Sequence, residues 1–365
     1  MSEDFFGEEE KPRAATETAK CPSCGADLIY DPETQALKCP YCGTEKNING
    51  KVCSESDLNR LFTERANTWA TEAKAFRCVN CGATTVISKK EISKNCAYCG
   101  ASNIIESEGM SGMRPDAVLP FTLTKEDAGK CATNWAKKKF FAPRKFKKSL
   151  TPENINGNYN PSFTFDSYAH CKYNGRLGEY YYETKIVNGK QEQVRKVRYF
   201  NISGTYNTFF DDVLVQASDK VPQKTLNKIQ PFDTNSSKEY SPDYLYGFSA
   251  TQYTKDGKAC WDTAKEIMYQ MAKNQILAKY TYDVIDYFKM DVNYTSVTYK
   301  YVLLPLYIGH FDFKQKLYNF FVNGRNGKTT GKVPISPLKV AILVFAAIAV
   351  IAGIITLYVL TGGNS

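Results

Sequence analysis

The chain has 365 residues, 43% of them hydrophobic, and a formal net charge of +9. That length implies two or three domains and the apolar fraction supports a packed core, which excludes a coreless chain. The positive excess is local: residues 125–148 hold nine basic side chains (Lys125, Lys130, Lys137, Lys138, Lys139, Arg144, Lys145, Lys147, Lys148) against only Glu126 and Asp127.

Residues 1–20 are acidic and short of large apolar side chains after Phe5 and Phe6, so a disordered tail is expected and no signal peptide. Cys21-Pro-Ser-Cys24, fourteen residues, then Cys39-Pro-Tyr-Cys42 follow. The pattern returns 57 positions later as Cys78-Val-Asn-Cys81, fourteen residues, and Cys96-Ala-Tyr-Cys99. Gly25, Ala26, Tyr41 and Gly43 recur at the same offset as Gly82, Ala83, Tyr98 and Gly100, which marks an internal duplication.

A C-x2-C knuckle sets two sulfurs on one tight turn, and two knuckles close a tetrahedron of thiolates around zinc at about 2.3 Å. The glycine after each second cysteine supplies the left-handed residue such a turn needs. The expected ligands are Cys21, Cys24, Cys39 and Cys42 for one Zn2+ and Cys78, Cys81, Cys96 and Cys99 for a second. Four-cysteine sites have no open position, so the metal reads as structural. Disulfides, buried free thiols and a rubredoxin-type iron site are the alternatives. The pattern defines zinc ribbons over 21–50 and 76–106. Cys53, Cys131, Cys171 and Cys260 lack knuckle spacing and read as ordinary thiols. Paired thiolates of this kind point to a reducing compartment.

Between the ribbons, Ser56-Asp57 resembles a helix start. Leu58, Leu61, Phe62, Ala66, Trp69 and Ala73 follow at helical steps, predicting a linking helix over 54–75. After a loop, Thr124 caps a helix over Lys125–Phe140, with Ala128, Cys131 and Trp135 on its apolar side, and Pro143 ends it. The lysines of that segment read as a solvated face, a contact to acidic phospholipid, or a contact to nucleic acid.

From Tyr159 to Val215 the period is two. Tyr180–Val187 and Val194–Ile202 flank Asn188-Gly189, a hairpin signal, and Val213–Gln216 suggests a further strand. Pro222–Gly247 reads as a loop. Lys258–Tyr280 predicts a helix with a Trp261, Ala264, Ile267, Met268, Met271, Ile276 stripe. Strands over Tyr282–Val292 and Ser296–His310 come next, the second apolar on both faces and so central, with Pro305 suggesting a bulge. A hairpin near Lys314-Gln315 returns Leu317–Val322. Residues 115–334 thus form an α+β domain, an antiparallel sheet with helices packed on it.

Val340–Leu360 is 21 residues without a charge. At about 1.5 Å per residue it spans roughly 31 Å, the thickness of a bilayer core. Arg325, Lys328, Lys332 and Lys339 precede it, so the positive-inside rule places residues 1–339 in the cytoplasm and the C-terminus outside the cell membrane. The whole is a multidomain chain: two tandem ribbons, an α+β antiparallel-sheet domain and one C-terminal transmembrane helix.

No catalytic constellation emerges. Asn323-Gly-Arg-Asn-Gly-Lys-Thr329 has only two residues between its glycines, where a phosphate loop needs four, so it reads as a glycine turn. His170 and His310 lie in β runs with no serine or cysteine motif beside them. Carboxylates are scattered without a recognisable pair. A non-enzyme is expected.

Pro115-Asp-Ala-Val-Leu-Pro-Phe121, Trp135 with Phe141-Ala-Pro143, Tyr159-Asn-Pro161, and Val322-Asn-Gly324 with Gly327-Lys328 and Gly331, together with the ribbons, carry a resemblance. The chain resembles the bacterial TFIIB-type zinc-ribbon proteins, many of which have a C-terminal membrane span and are often named replication-restart helicases. No helicase motor motif is present here. Asn160 and Ser162 depart from the pattern, which has larger apolar residues there. The resemblance implies a membrane-anchored adaptor for phage-shock-protein-A-like or SPFH (flotillin-like) partners in envelope stress. A membrane-tethered nucleic-acid-binding protein is the alternative.

Overall fold

The computed structural model describes residues 19–63, 69, 73–88, 96–102, 104–106, 112–187 and 190–362. Its first ribbon is a small antiparallel sheet of β1 (Ile29–Asp31), β2 (Ala36–Lys38) and β3 (Glu45–Asn47). Ala19 and Lys20, assigned to the tail from the sequence, already belong to it: Leu28 N–H donates to Ala19 O, and Lys20 pairs with Asp27 at 2.7 Å. The rest of the expected acidic tail lies outside the described residues. Leu28, Tyr30 and Leu37 are buried in the same apolar cluster as Phe121, Tyr159 and Tyr307 of the body. Tyr30 N–H donates to Tyr246 O at 3.0 Å and its hydroxyl to Phe121 O at 3.1 Å. The ribbon is therefore docked on the body's core.

The linking helix expected over 54–75 is corrected at its two ends, while 64–68 and 70–72 lie outside the described residues. β4 (Ser56–Asp57) pairs with a later strand, α1 (Leu58–Thr63) is six residues long, and β5 (Ala73–Cys78) is already extended. The apparent stripe is divided between two cores. Leu58 and Leu61 pack in one cluster, whereas Trp69 is buried in another and donates its indole N–H to Tyr240 Oη at 2.9 Å.

The second ribbon is built into the main sheet. β5 pairs with β6 (Thr84–Ser88) and β7 (Ile104–Glu106). β8 (Ala117–Val118) follows. α2 (Lys125–Lys137) starts at Thr124, whose hydroxyl accepts from Asp127 N–H, and buries Ala128, Ala132 and Ala136 at four-residue spacing. It stops short of Phe140, and Pro143 opens α3 (Arg144–Lys148), which buries Phe146.

β9 (Ile155–Val187) and β10 (Lys190–Gln216) form one hairpin of 33 and 27 residues, far longer than the runs read from the sequence. Val187 pairs with Lys190, and Asn188-Gly189, the expected hairpin signal, lies outside the described residues. The sequence reading of Pro222–Gly247 as a loop misses α4 (Gln223–Ile229), which buries Leu226 and Ile229, and β11 (Lys238–Glu239). β12 (Ser249–Thr251) joins β6 to β9. α5 (Gly257–Leu277) is capped by Asp256 and lays Trp261, Ala264, Met268, Ala272 and Ile276 over Phe165, Ala169, Cys171 and Leu177 of β9.

The two expected strands after α5 are one, β13 (Val284–Phe313), paired with β9 over most of its length. β4, β8 and β14 (Lys316–Asn323) line up in turn along its other edge. Pro305 makes no bulge. Its carbonyl accepts from Gly324 N–H, so its nitrogen also points away from β9, at the seam where the neighbour changes from β8 to β14. A missing N–H there forfeits no ladder bond. The register shifts lie elsewhere: between Ile285 and Tyr287 of β13, at Ser296 of β13 (φ 51°) beside Ser167 of β9, and at Asp212 of β10 (φ 49°) beside Asp166.

β15 (Thr329–Gly331) follows the turn in which Gly327 N–H donates to Asn323 O, as expected of a glycine turn. α6 (Pro337–Gly362) ends the chain; Pro337–Leu357 is long and apolar enough to cross a membrane and is not covered by the rest of the protein.

Candidate metal centres

Each of the four knuckles closes the same way. The N–H of the glycine after the second cysteine donates to the first cysteine's carbonyl (Gly25 to Cys21, 2.9 Å), and the first cysteine's N–H donates back one residue further on (Cys21 to Ala26 O, 2.7 Å). Gly25, Gly43, Gly82 and Gly100 sit at φ +72°, +75°, +66° and +71°, the left-handed conformation the turn requires. Gly100 has a second reason: a Cβ there would lie 2.4 Å from His310 Nε2 of β13.

The knuckles then meet in pairs. Cys21 and Cys42 sulfurs are 3.4 Å apart, as are those of Cys24 and Cys39. In the second set Cys78–Cys99 is 3.6 Å and Cys81–Cys96 3.5 Å. The edge of a ZnS4 tetrahedron with 2.3 Å bonds is about 3.8 Å, so both sets suit zinc after a small expansion. None of the eight cysteines is in a disulfide. The eight residues read from spacing are brought together as two groups of four, with all sulfurs of a group within 4.8 Å.

Burial works to raise the Cys21 thiol. The N–H groups of Cys24 and Ser23 and the Cys42 and Cys24 thiols outweigh it and hold Cys21 at about 6. Cys78 falls to about 7 by a similar balance. The Ala26 N–H lowers Cys24, yet the Cys39 and Cys42 thiols push it up to about 12. The Thr44 hydroxyl and N–H lower Cys42 as well, so the first set has two thiols biased towards thiolate and the second has Cys78, and metal binding expels the remaining protons. The second set is the more enclosed: Cys78, Cys96 and Cys99 are buried, against Cys21 and Cys39 in the first.

A charged cluster invisible to sequence spacing lies inside the sheet. Glu55, Asp166 and Asp212 have oxygens within 4.8 Å of one another. Lys300, 3% exposed, stands 3.2 Å from Glu55 and 3.5 Å from Asp212. Asp212 N–H donates to Asp166 Oδ1 at 2.7 Å, and the Thr298 hydroxyl donates to Glu55. Burial, then the hydrogen bond with Glu55, raises Asp166 to about 7, so the two carboxyls share a proton. The ammonium of Lys300 already supplies the cation, and the cluster rivets β4, β9, β10 and β13 together. Its one sequence signal is a lysine in the middle of an apolar central strand.

Asn160 and Ser162 are explained the same way. Both are buried, and both bond Gln216 of β10, with Asn160 Nδ2 donating to Gln216 Oε1 at 2.6 Å and Gln216 Nε2 donating back at 2.9 Å. His170 is exposed and, among the described residues, hydrogen-bonds Asn207 and Thr295.

Two closed four-cysteine modules, an antiparallel-rich sheet and one C-terminal apolar helix define a zinc-ribbon-type protein with a candidate membrane anchor. The chain is 28% identical over 325 residues to the uncharacterized protein YdjG of Bacillus subtilis (strain 168), a match that spans 88% of this chain and 91% of that one. No family model and no solved structure matches.

Proposed function

We propose that the protein is a non-enzymatic, membrane-anchored adaptor that presents a cytoplasmic surface to partner proteins. The observation that carries it is the β9–β10 hairpin. β13 pairs with β9 no further than Gly178 and α5 packs on nothing past Leu177, so among the described residues 179–187 and 190–198 form a two-stranded ribbon beyond the main sheet, met at its base by Asp283, whose Oδ2 accepts from Tyr180 N–H. Tyr180, Tyr182 and Ile186 are exposed along it, with Arg195 stacked 4.3 Å over Tyr180, and just before its base Arg176 lies 4.5 Å over the exposed Tyr199. Aromatic and arginine side chains of this kind are favoured anchors at protein interfaces. The zinc centres, closed to substrate, support a scaffold role. The lysines and arginine before α6 favour a cytoplasmic body.

By resemblance the partners are phage-shock-protein-A-like or SPFH proteins. The test is capture with the full chain in mild detergent, cross-linked in its own membrane. Recovery of such proteins by wild type, and their loss from Tyr180→Ser/Tyr182→Ser/Ile186→Ser, supports the reading. Recovery of replication factors or of nucleic acid instead would overturn it.

A further inference from the structure

The basic segment and the apolar helix touch through residues 197 and 199 positions apart in sequence. Lys339 in the first turn of α6 donates its ammonium to Phe140 O at 2.8 Å and to Ala142 O at 2.7 Å. Ser336 N–H donates to Phe141 O at 2.9 Å. The link from β15 to α6 is only residues 332–336, and it is held down as well: Lys332 N–H donates to Asn319 O, Val333 packs on the core, and Pro334 is buried. The turn between α2 and α3 is therefore fixed at the level where the apolar helix begins.

The chemistry of that turn is unusual for a solvated loop. Phe140 and Phe141 are 65% and 37% exposed. Residues 137–148 carry seven cations (Lys137, Lys138, Lys139, Arg144, Lys145, Lys147, Lys148) and no acid. The acids of α2, Glu126 and Asp127, lie in its first turn, three helical turns away, where Asp127 is paired with Lys130. Exposed phenylalanines ringed by lysines match the boundary between headgroups and acyl chains, where aromatic rings enter and cations meet anionic lipid. A patch built for nucleic acid would have no use for being pinned to the mouth of a membrane span.

We propose that the α2–α3 turn is a lipid-docking surface. Phe140 and Phe141 sit at interfacial depth, and the surrounding lysines and Arg144 engage anionic headgroups, so the body rests on the bilayer in one pose. This rests on α6 being a membrane span.

The test is hydrogen exchange on the full chain in nanodiscs of phosphatidylcholine alone or with phosphatidylglycerol. Exchange at residues 137–148 should slow about fivefold or more in the anionic discs and return towards the neutral value in high salt. Lys137→Gln/Lys138→Gln/Arg144→Gln/Lys145→Gln should abolish the difference while keeping wild-type zinc content and circular dichroism. The matching lysine-to-arginine variant, with Arg144 left in place, should retain it. A chain that stays in the discs but exchanges equally in both overturns the docking surface alone. A chain that fails to enter discs overturns the span, and the docking surface with it. Slowing that needs an added oligonucleotide and not anionic lipid would also overturn the proposal, in favour of a nucleic-acid surface.

Discussion

Replacing Cys39 with serine tests whether the first ribbon is a separate head or part of the core. The substitution removes one of four thiolates from a kind of site whose metal contributes on the order of 10–16 kcal/mol to folding. Without zinc the three short strands have too little core of their own to persist. Leu28, Tyr30 and Leu37, now 2%, 2% and 1% exposed, would leave the body. Each such burial contributes about 1.5–3 kcal/mol, roughly 5–9 kcal/mol together. That is comparable with the whole margin of a folded domain, about 5–15 kcal/mol. Phe121, Phe248 and Tyr244, which Tyr30 covers, would be uncovered too. The full chain in detergent should therefore keep one zinc by elemental analysis, and its near-ultraviolet melt should fall by about 10 °C or more. Cys53→Ser, outside both sets, should keep both metals. One zinc lost with the melt unmoved would refute the shared core and restore an independent ribbon.

Lys300→Met leaves the half-buried Glu55 and Asp212 without their ammonium and should cost about 1–3 kcal/mol in chemical denaturation; an unchanged midpoint would show the cluster to be energetically idle. Asp166 is held at about 7, well above its unfolded range near 3.9, so the folded state binds its proton more tightly. Its stabilising contribution is full below about pH 4 and is lost as pH rises towards 7. Asp166→Asn keeps an acceptor for Asp212 N–H and a donor for Glu55, so it should flatten that part of the stability–pH curve; an identical slope would count against the shared proton. Asn160→Leu strands the buried Gln216 amide and should lower stability by roughly 1–3 kcal/mol in urea, even though leucine is the more apolar residue.

What the sequence revealed were features whose physics is local. Thiolate geometry requires two residues between cysteines and a glycine after them, and all four knuckles obey it. The membrane-length helix needs only composition, and α2 and α5 show in their spacing of alanines, tryptophans and methionines. Pairing over distance leaves no such mark. β13 reads as two strands because the bulge at Ser296 shifts its alternation midway. The joining of the second ribbon to the main sheet depends on Ala250 and Thr251, some 165 residues downstream of their β6 partners, Val86 and Thr85. The linking-helix stripe misleads at Trp69, which answers to Tyr240, a partner that periodicity does not register, and at Ala73, which opens a strand. Glu55, Asp166, Asp212 and Lys300 come from four separate strands or strand ends and meet only when the sheet forms.

The length of β9 also sets a distance. It begins beside the helical layer that carries α2 and α3, where Ile155 shares a core with Phe146. It then runs 33 residues to the hairpin tip, a contour of roughly 100 Å at about 3.3 Å per residue. If α6 spans a membrane and a partner grips the far end of the hairpin, as proposed above, the hairpin is a spacer arm that sets the partner's standoff from the lipid. Removing matched two-residue steps from β9 and β10 would shorten the arm while preserving register and inward-facing side chains, and would leave both cysteine sets untouched.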